Sequence, residues 1–269
     1  AVILVMNAIA QGKLVAAVCH GPQVLIEADQ LRGKQATGYR AIRKDMQNAG
    51  ATYIDEPVVV DGNLVTARRP GDLPMFTTMI LSRLGLSMDK TLPDPADETY
   101  DWWELGAKWG GSSRQDIINV INTALVGERY TMGAFRQYNE KITDAEANVV
   151  FSEVLTAKES HIERLEVRLR QMDESVSWQA VGSEAFATLQ GWIQSSQETD
   201  ILRRALGDLQ TGLVDANRFS AQLTDPVTSN ILDRIAGNLG RLEARVGDLY
   251  RARLGHNVEA PLPTTMAVG

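Results

Sequence analysis

The residues best suited to chemistry lie in the stretch AAVCHGPQVL, at 16–25, which holds the one cysteine of the chain. Cys19 is followed by His20, and an imidazole beside a thiol can take its proton and leave a nucleophilic thiolate. The apolar run before Cys19 predicts a fully buried strand, and the residues after Pro22 predict a helix. Amides at the start of a helix favour the thiolate, and Gly21 permits a tight turn. We therefore predict a nucleophile elbow in cysteine form; the alternative is a small buried side chain.

The segments around this turn have the pattern of an α/β domain, in which helices cover a sheet. The stretch 41–50 predicts a helix that ends at Gly50, a residue that tolerates a left-handed backbone. Two apolar runs then flank the sequence Asp-Gly-Asn at 61–63, which predicts a hairpin. A closing helix is expected from Leu73 to about Leu84. These elements would hold the turn at one edge of the sheet.

Four stretches of this region are distinctive, and they read VCHGPQ, LRGKQATGY, DMQNAGA and VVVDGNLVTARRPGDLP. Together they resemble the DJ-1/PfpI superfamily, and in particular its PfpI-like branch of intracellular peptidases, glyoxalases and proposed deglycases. The resemblance covers about residues 8–86. It implies a flavodoxin-like α/β domain, here represented by its C-terminal half. It also implies cysteine-dependent hydrolase or glyoxalase chemistry on reactive carbonyls or peptides, in a stress response and without a cofactor.

The resemblance assigns a role to each matching residue. Cys19 corresponds to the family nucleophile and His20 to the histidine that assists proton transfer. The amides around these two residues would help to stabilise an oxyanion. Gly21, Tyr39 and Arg68 are assigned to the substrate pocket, although Arg68 and its neighbour could instead bind acidic groups of the protein. Family members begin with strands, a glutamate and a Gly-Gly turn that have no counterpart here. We therefore interpret this sequence as part of a longer protein or as completed by another chain.

The rest of the chain predicts an all-α domain. We assign 1–86 to the α/β domain, 87–112 to a linker, 113–256 to an antiparallel four-helix bundle and 257–269 to a flexible tail. The second helix is expected to begin with Thr143 as its cap and Glu146 reaching back. The third is expected to span 183–223, with an interruption near Gly191. The fourth follows Asp225 and Pro226, which are a typical cap and first helical residue.

The length and hairpin spacing of these helices resemble a ferritin-like bundle. Such bundles bind two metal ions through a Glu on each of two helices and a Glu-x-x-His on each of the others. The weak candidates here are Glu128, Glu159 and His161, but the position three residues before the histidine is Lys158. We therefore predict no metal and expect Glu159 and His161 to lie on a solvated helix face.

The net charge and the amino-acid composition argue against several classes of function. The net charge of −7 argues against nucleic acid as a partner, and no apolar run is long enough to span a membrane. A lone cysteine fits a reducing cytoplasm. We expect a cytoplasmic homo-oligomer that acts on a small carbonyl or peptide substrate. The alternatives are a non-catalytic oligomeric scaffold, a degenerate ferritin-like protein, or a cysteine redox sensor.

Overall fold

The structure is a computed structural model that describes residues 1–86, 93–94, 97, 99–175, 197–254 and 261. Its contacts divide the chain into two units. The first unit comprises Ala1–Arg114 and Ala221–Ser229, and the second comprises Gln115–Ser220 and Asn230–Gly269. None of the described helices is long and apolar enough to cross a membrane.

The first unit has the predicted α/β architecture. Its strands are β1 (Val15–Val18), β2 (Gln35–Ala36), β3 (Thr52–Tyr53), β4 (Val58–Asp61) and β5 (Leu64–Ala67). Its helices are α1 (Val2–Ala10), α2 (Pro22–Glu27), α3 (Arg43–Asn48), α4 (Leu73–Arg83) and α5 (Trp102–Lys108). The main sheet has the order β1-β5-β4, with β5 parallel to β1 and antiparallel to β4, and β2 pairs with β3 in a separate parallel sheet.

The predicted hairpin is confirmed, because β4 and β5 are joined by a turn in which Gly62 has a φ of 60°. Gly50, after α3, likewise has a left-handed φ of 89°. The prediction that the strand before the cysteine is fully buried is wrong. All four residues of β5 are buried, whereas those of β1 are exposed or only half-buried. The reason is that β5 is central in the described sheet and β1 lies at its edge.

The stretch predicted as a linker contributes to the core of the first unit. Trp102, in α5, is completely buried and packs with Met75 and Leu105. Residues 221–229 belong to the same unit. There the amide of Ser112 donates to Thr224 Oγ1 at 2.7 Å, and the amide of Thr224 donates back to Ser112 Oγ at 3.0 Å. This reciprocal pair fixes the segment in place.

The second unit consists of long helices. They are α6 (Arg114–Lys141), α7 (Ala145–Gln171), α8 (Glu198–Gln222) and α9 (Pro226–Leu254), of which α6 and α9 begin in the first unit. The predicted start of the third helix at Ser183 and its interruption near Gly191 lie outside the described residues, as does the tail except for residue 261.

Two helix caps test the sequence predictions. Asp225 caps α9 as predicted, since its carboxylate accepts the amide of Thr228 at 3.0 Å. The cap of α7, however, is Asp144, which accepts the amides of the second and third residues after it, and not Thr143. Glu146 pairs with Arg253 instead of reaching back. Thr and Asp are both good caps, and here the aspartate lies one residue nearer the helix.

The directions of the helices follow from their contacts. Each hairpin is antiparallel, as predicted. Thr143, after the end of α6, donates its hydroxyl to Glu198 at the start of α8, and Tyr138 donates to Asp208 further along it at 2.9 Å. Helix α8 therefore runs antiparallel to α6 and in the same direction as α7. A ferritin-like bundle has this arrangement, with one long crossover between its two hairpins.

Candidate active site at the strand–helix elbow

Cys19 occupies the turn between β1 and α2. Its amide donates to the carbonyl of Ala67 at 3.0 Å, which continues the pairing of β1 with β5 by one residue. Its φ is 62°, in the left-handed region. A residue with a Cβ pays roughly 1–2 kcal/mol there, and such strain in an unbranched functional side chain is characteristic of nucleophile elbows. The predicted elbow is therefore present, with the thiol turned out of the strand.

Two glycines make room for this turn. A Cβ at Gly21 would lie 3.0 Å from the carbonyl oxygen of Val18, whose acceptance of the Gly21 amide closes the turn. A Cβ at Gly38 would lie 3.0 Å from Met46 Sδ and 3.3 Å from the carbonyl oxygen of Cys19. The backbone at both positions approaches the elbow too closely for a side chain. Gly21 therefore shapes the turn from within, and Gly38 lets the neighbouring loop pack against it.

The thiol and the imidazole are in hydrogen-bond contact. Cys19 Sγ lies 3.3 Å from His20 Nδ1. Tyr39 supports both residues, because its ring lies 4.9 Å from that of His20 and its amide donates to the Cys19 carbonyl at 2.8 Å. The thiol is half-buried, whereas His20 and Tyr39 are exposed. The structure thus brings together three of the residues predicted for the site and leaves them accessible from solvent.

The expected oxyanion donors are only partly available. The Cys19 amide is committed to Ala67 and the Gly21 amide to Val18, so neither can bind a developing negative charge. Among the described residues, the amide of His20 has no backbone acceptor. Of the amides around Cys19 and His20, the His20 amide therefore remains as the predicted oxyanion donor without a backbone acceptor in the described part of the chain. The Cys19 amide is used in the pairing of β1 with β5, and the sequence around Cys19 could not reveal this pairing.

Arg68 and Cys19 lie at the same end of the sheet. Cys19 follows the last residue of β1, Arg68 follows the last residue of β5, and these two strands are paired in parallel. Its guanidinium is held by Asp72, with Nε 2.9 Å from Oδ2, and by Asp55 at 3.2 Å. Burial alone would lower the pKa of Arg68, but hydrogen bonds and charge from the two aspartates outweigh it and raise the pKa. Burial lowers the pKa of the neighbouring Arg69 to about 10. The two aspartates were not identified from the sequence, where the four-residue spacing of Arg68 and Asp72 was the available signal.

A second polar cluster lies in the core of the helical unit. Glu128 Oε1 accepts from Lys158 Nζ at 3.0 Å, and Glu128 Oε2 lies 2.9 Å from His161 Nδ1. His161 Nε2 lies 3.3 Å from the amide nitrogen of Asn238. Lys158 and His161 are each 1% exposed. Since an amide NH₂ only donates, His161 accepts at Nε2 and donates from Nδ1 to the carboxylate.

Comparisons with known proteins agree with both units. The profile of the DJ-1/PfpI family matches residues 1–83. YraA of Bacillus subtilis, named as a candidate cysteine protease, is 58% identical over 72 residues, which is 27% of this chain and 43% of YraA. Deglycase PfpI of Pyrococcus furiosus is 59% identical over 63 residues, which is 23% of this chain and 38% of PfpI. The chain thus spans less than half the length of these relatives.

A solved structure extends the match to nearly the whole chain. It is a two-domain protein from Anabaena variabilis that contains DJ-1/ThiJ/PfpI-like and ferritin-like domains. It is 50% identical, with a TM-score of 0.90, over 98% of this chain and 75% of that one. The chain belongs to the DJ-1/PfpI family. Its DJ-1/PfpI unit is fused to a ferritin-like unit, as the sequence predicted.

The donor set of the ferritin-like unit does not fit a di-metal site. The ammonium of Lys158 stands where a metal ligand is required, and it already neutralises Glu128. Glu159 is exposed and points away from this pair, so it is not brought together with the other two candidates. In the part of the chain that the structure describes, no three His, Cys, Asp or Glu residues are grouped to hold a metal ion.

The expectation that His161 lies on a solvated face is wrong. A histidine between charged residues on a helix is usually exposed. The partner of this one is the Glu128 carboxylate, which comes from α6, so the sequence of α7 could not show the contact. Burial alone would raise the pKa of Glu128. The charge of Lys158 and the hydrogen bond from His161 outweigh that effect and lower the pKa. The buried cluster is therefore internally compensated, with an ammonium in place of a metal ion.

Proposed function

We propose that the DJ-1/PfpI unit supplies the nucleophile of a cysteine-dependent hydrolase or glyoxalase/deglycase-type enzyme that acts on reactive carbonyl compounds or peptides. The observation that carries the proposal is the contact of 3.3 Å between Cys19 Sγ and His20 Nδ1, at a residue with a φ of 62°. Relatives named as a deglycase and as a candidate cysteine protease support the same chemistry. The proposed setting is the cytoplasm, where a lone thiol stays reduced.

In the proposed reaction, the Cys19 thiol passes its proton to His20 Nδ1 as the thiolate attacks the substrate carbonyl carbon. A C–S bond forms, and the π electrons of the carbonyl move to its oxygen. With methylglyoxal, His20 returns the proton to this oxygen and a thiohemiacetal results. His20 then moves the C1 proton to C2 through an enediol, and water hydrolyses the thioester so formed to a 2-hydroxy acid and the free thiol. With an amide, the C–N bond breaks, the amine leaves with the proton from His20, and water then hydrolyses the thioester. In this proposal the His20 amide donates to the oxygen that becomes charged.

The test compares turnover of methylglyoxal and of a fluorogenic peptide by the wild-type chain and by Cys19→Ala. Loss of the nucleophile is expected to lower kcat/KM by roughly a thousandfold or more. Arg32→Gln is the control, because Arg32 is an exposed residue that pairs with Asp29 and not with a residue of the elbow. Turnover that persists in Cys19→Ala would contradict the proposal.

Redox sensing is a second candidate, because the half-buried Cys19 is the one cysteine in the chain and has no resolving partner within it. Peroxide would then convert the thiol to sulfenic or sulfinic acid without a disulfide in the chain. Mass spectrometry after peroxide treatment, run beside the turnover assay, separates the two candidates. A stable oxidised thiol together with no turnover favours the sensor.

For the ferritin-like unit, we propose a metal-free scaffold. The buried ion pair of Lys158 and Glu128 supports this, since it satisfies the carboxylate without an ion. Elemental analysis of the purified chain tests the proposal. Iron or another transition metal at one equivalent per chain would contradict it.

A further inference from the structure

Helices α7 and α9 enclose a depression on the surface of the ferritin-like unit. The two helices are antiparallel neighbours, because Arg245 pairs with Glu153 and Asn238 contacts His161 eight residues further along α7. The depression, which we call the arginine pocket, has a volume of about 330 Å³. It is lined by three arginines at its rim, with His161 and Asn238 beneath them; the arginines are Arg164, Arg234 and Arg241.

The charge of the arginine pocket is uncompensated. None of its lining residues is acidic. Elsewhere in the bundle arginines pair with carboxylates, as Arg129 does with Glu166 and Arg253 with Asp144. Within the described ranges, no carboxylate lies at ion-pair distance from the three rim arginines. Guanidinium groups in such a position attract anions, and their planar N–H donors suit phosphate oxygens.

A chain of hydrogen bonds fixes the floor of the pocket to the core. Glu128 holds His161, His161 accepts from the Asn238 amide, and the Asn238 oxygen accepts from Arg241. Arg164 Nε lies 3.5 Å from Ser160 Oγ. Because the buried end of this chain is a tightly paired carboxylate, the orientation of Asn238 and Arg241 is set before any ligand arrives. Such preorganisation lowers the entropic cost of binding.

A groove continues from the pocket along the same two helices. It has a volume of about 740 Å³ and shares Asn238 and Arg241 with the pocket. Small and hydroxyl-bearing side chains line much of it, including Ser152, Thr156 and Ala157. Gly237 also lines the pocket, and a Cβ added there would meet no atom within 4 Å, so a side chain can be introduced without a clash. The rest of the groove lining includes the apolar side chains of Val149 and Leu242 and the ion pair of Glu153 with Arg245, whose charges compensate each other. The groove thus extends the cationic pocket along the two helices without adding net charge.

We propose that the arginine pocket binds the phosphate group of a small phosphomonoester whose hydroxyl-bearing body lies in the adjoining groove. The three rim arginines neutralise the phosphate, and Asn238 is the neutral group beneath it. The hydroxyl oxygens of Ser152 and Thr156, which donate their own hydrogens to helix carbonyls, accept from the hydroxyl groups of the ligand body. This ligand site is independent of the chemistry proposed for Cys19.

Isothermal titration calorimetry on the full chain tests the proposal, with inorganic phosphate and glycerol 3-phosphate as probes. Both probes should bind saturably, with glycerol 3-phosphate the tighter one. Arg164→Gln and Arg234→Gln should each weaken binding by roughly tenfold or more, because each removes a charged donor. Arg251→Gln is the matched control: it removes an exposed arginine of α9 outside the pocket, and affinity should be unchanged.

Gly237→Glu tests the pocket without removing an arginine, since it introduces a carboxylate that competes with the ligand. It should abolish binding, whereas Gly237→Ala should retain it. The absence of saturable binding up to millimolar probe would overturn the proposal. An equal loss of affinity in Arg251→Gln would do the same, since it would show only general attraction to a basic surface. Equal affinity for the two probes would overturn the assignment of the groove to the ligand body.

Discussion

The two units use histidine in opposite ways. His20 is exposed, contacts a half-buried thiol, and has no hydrogen-bond partner at Nε2 among the described residues. His161 is 1% exposed and is engaged at both ring nitrogens, by Glu128 and by Asn238. The first ring therefore leaves one nitrogen open to a substrate, whereas both nitrogens of the second ring are hydrogen-bonded within the protein. The comparison separates a histidine placed for chemistry from one placed for structure.

The backbone shows the same contrast. Cys19 is held in a left-handed conformation with a φ of 62°, which costs stability in the DJ-1/PfpI unit. Glu128 and Lys158 lie on regular helices, and their charges compensate each other in the core. Backbone strain that no stabilising contact compensates indicates a functional role. A satisfied buried network points to specification of the fold. Variants at each site can therefore confirm or reverse these assignments.

The largest expected effect comes from Lys158→Met. It removes the ammonium and leaves the Glu128 carboxylate buried without its main counter-charge, which should cost about 3–5 kcal/mol of unfolding free energy. Denaturant unfolding followed by circular dichroism measures the loss. Arg170→Met, at a 60% exposed position on the same helix, is the control and should change stability by no more than about 0.5 kcal/mol. A loss of similar size in both variants would contradict a special role for the buried pair.

A double variant shows whether the cost arises from the orphaned carboxylate. Glu128→Gln combined with Lys158→Met removes both charges, so it should be more stable than Lys158→Met alone. The double variant should recover at least half of the loss. No recovery would show that the lysine acts through packing of its aliphatic chain rather than through its charge.

The next largest effect is expected in the pH dependence of the free energy of unfolding. The pKa of Glu128 is lowered in the folded state from its ordinary value of 4.5. Its contribution is therefore fully present above about pH 4.5 and is lost as pH falls through the lowered value. Between pH 5 and 3, Glu128→Gln should lose stability less steeply than the wild type. Glu159→Gln removes an exposed carboxylate on the same bundle and should follow the wild-type slope.

Glycine substitutions compare the packing of the two regions. Gly38→Ala places a Cβ 3.0 Å from Met46 Sδ and 3.1 Å from Pro22 Cγ, so it should destabilise the elbow by about 1–3 kcal/mol. In the bundle, a Cβ at Gly127 would meet no atom within 4 Å. Gly127→Ala should therefore stabilise its helix by up to about 1 kcal/mol. Hydrogen exchange of peptides from each region measures both changes, and effects of the same sign would contradict the packing described for the elbow.

The sequence was informative where an interaction is local. The elbow at Cys19, the turn at Gly62 and the cap at Asp225 each depend on residues adjacent in the chain, and each was predicted. The ion pair of Glu128 and Lys158 joins residues 30 apart on two helices. The sequence indicated Glu128 as a candidate metal ligand and a lysine at 158, but it did not show that the lysine is buried.

Other features of the site depend on contacts between distant segments. The amide of Cys19 is removed from the set of oxyanion donors by Ala67, which belongs to a paired strand 48 positions later in the sequence. Arg68 is held partly by Asp55, which lies between β3 and β4. Tertiary pairing decides both, so residue types and spacing near the cysteine could not reveal them.

The smallest expected effect tests the strain at the elbow. Cys19→Gly and Cys19→Ala both remove the thiol and should both abolish turnover. Only glycine adopts a φ of 62° without a steric penalty, so Cys19→Gly should be about 1 kcal/mol more stable than Cys19→Ala. Hydrogen exchange in β1 and α2 reports this difference locally. Equal protection in the two variants would show that the conformation of Cys19 carries no strain. The elbow would then resemble the charge-compensated cluster of the bundle, and its geometry would no longer be evidence of a reactive site that lowers stability.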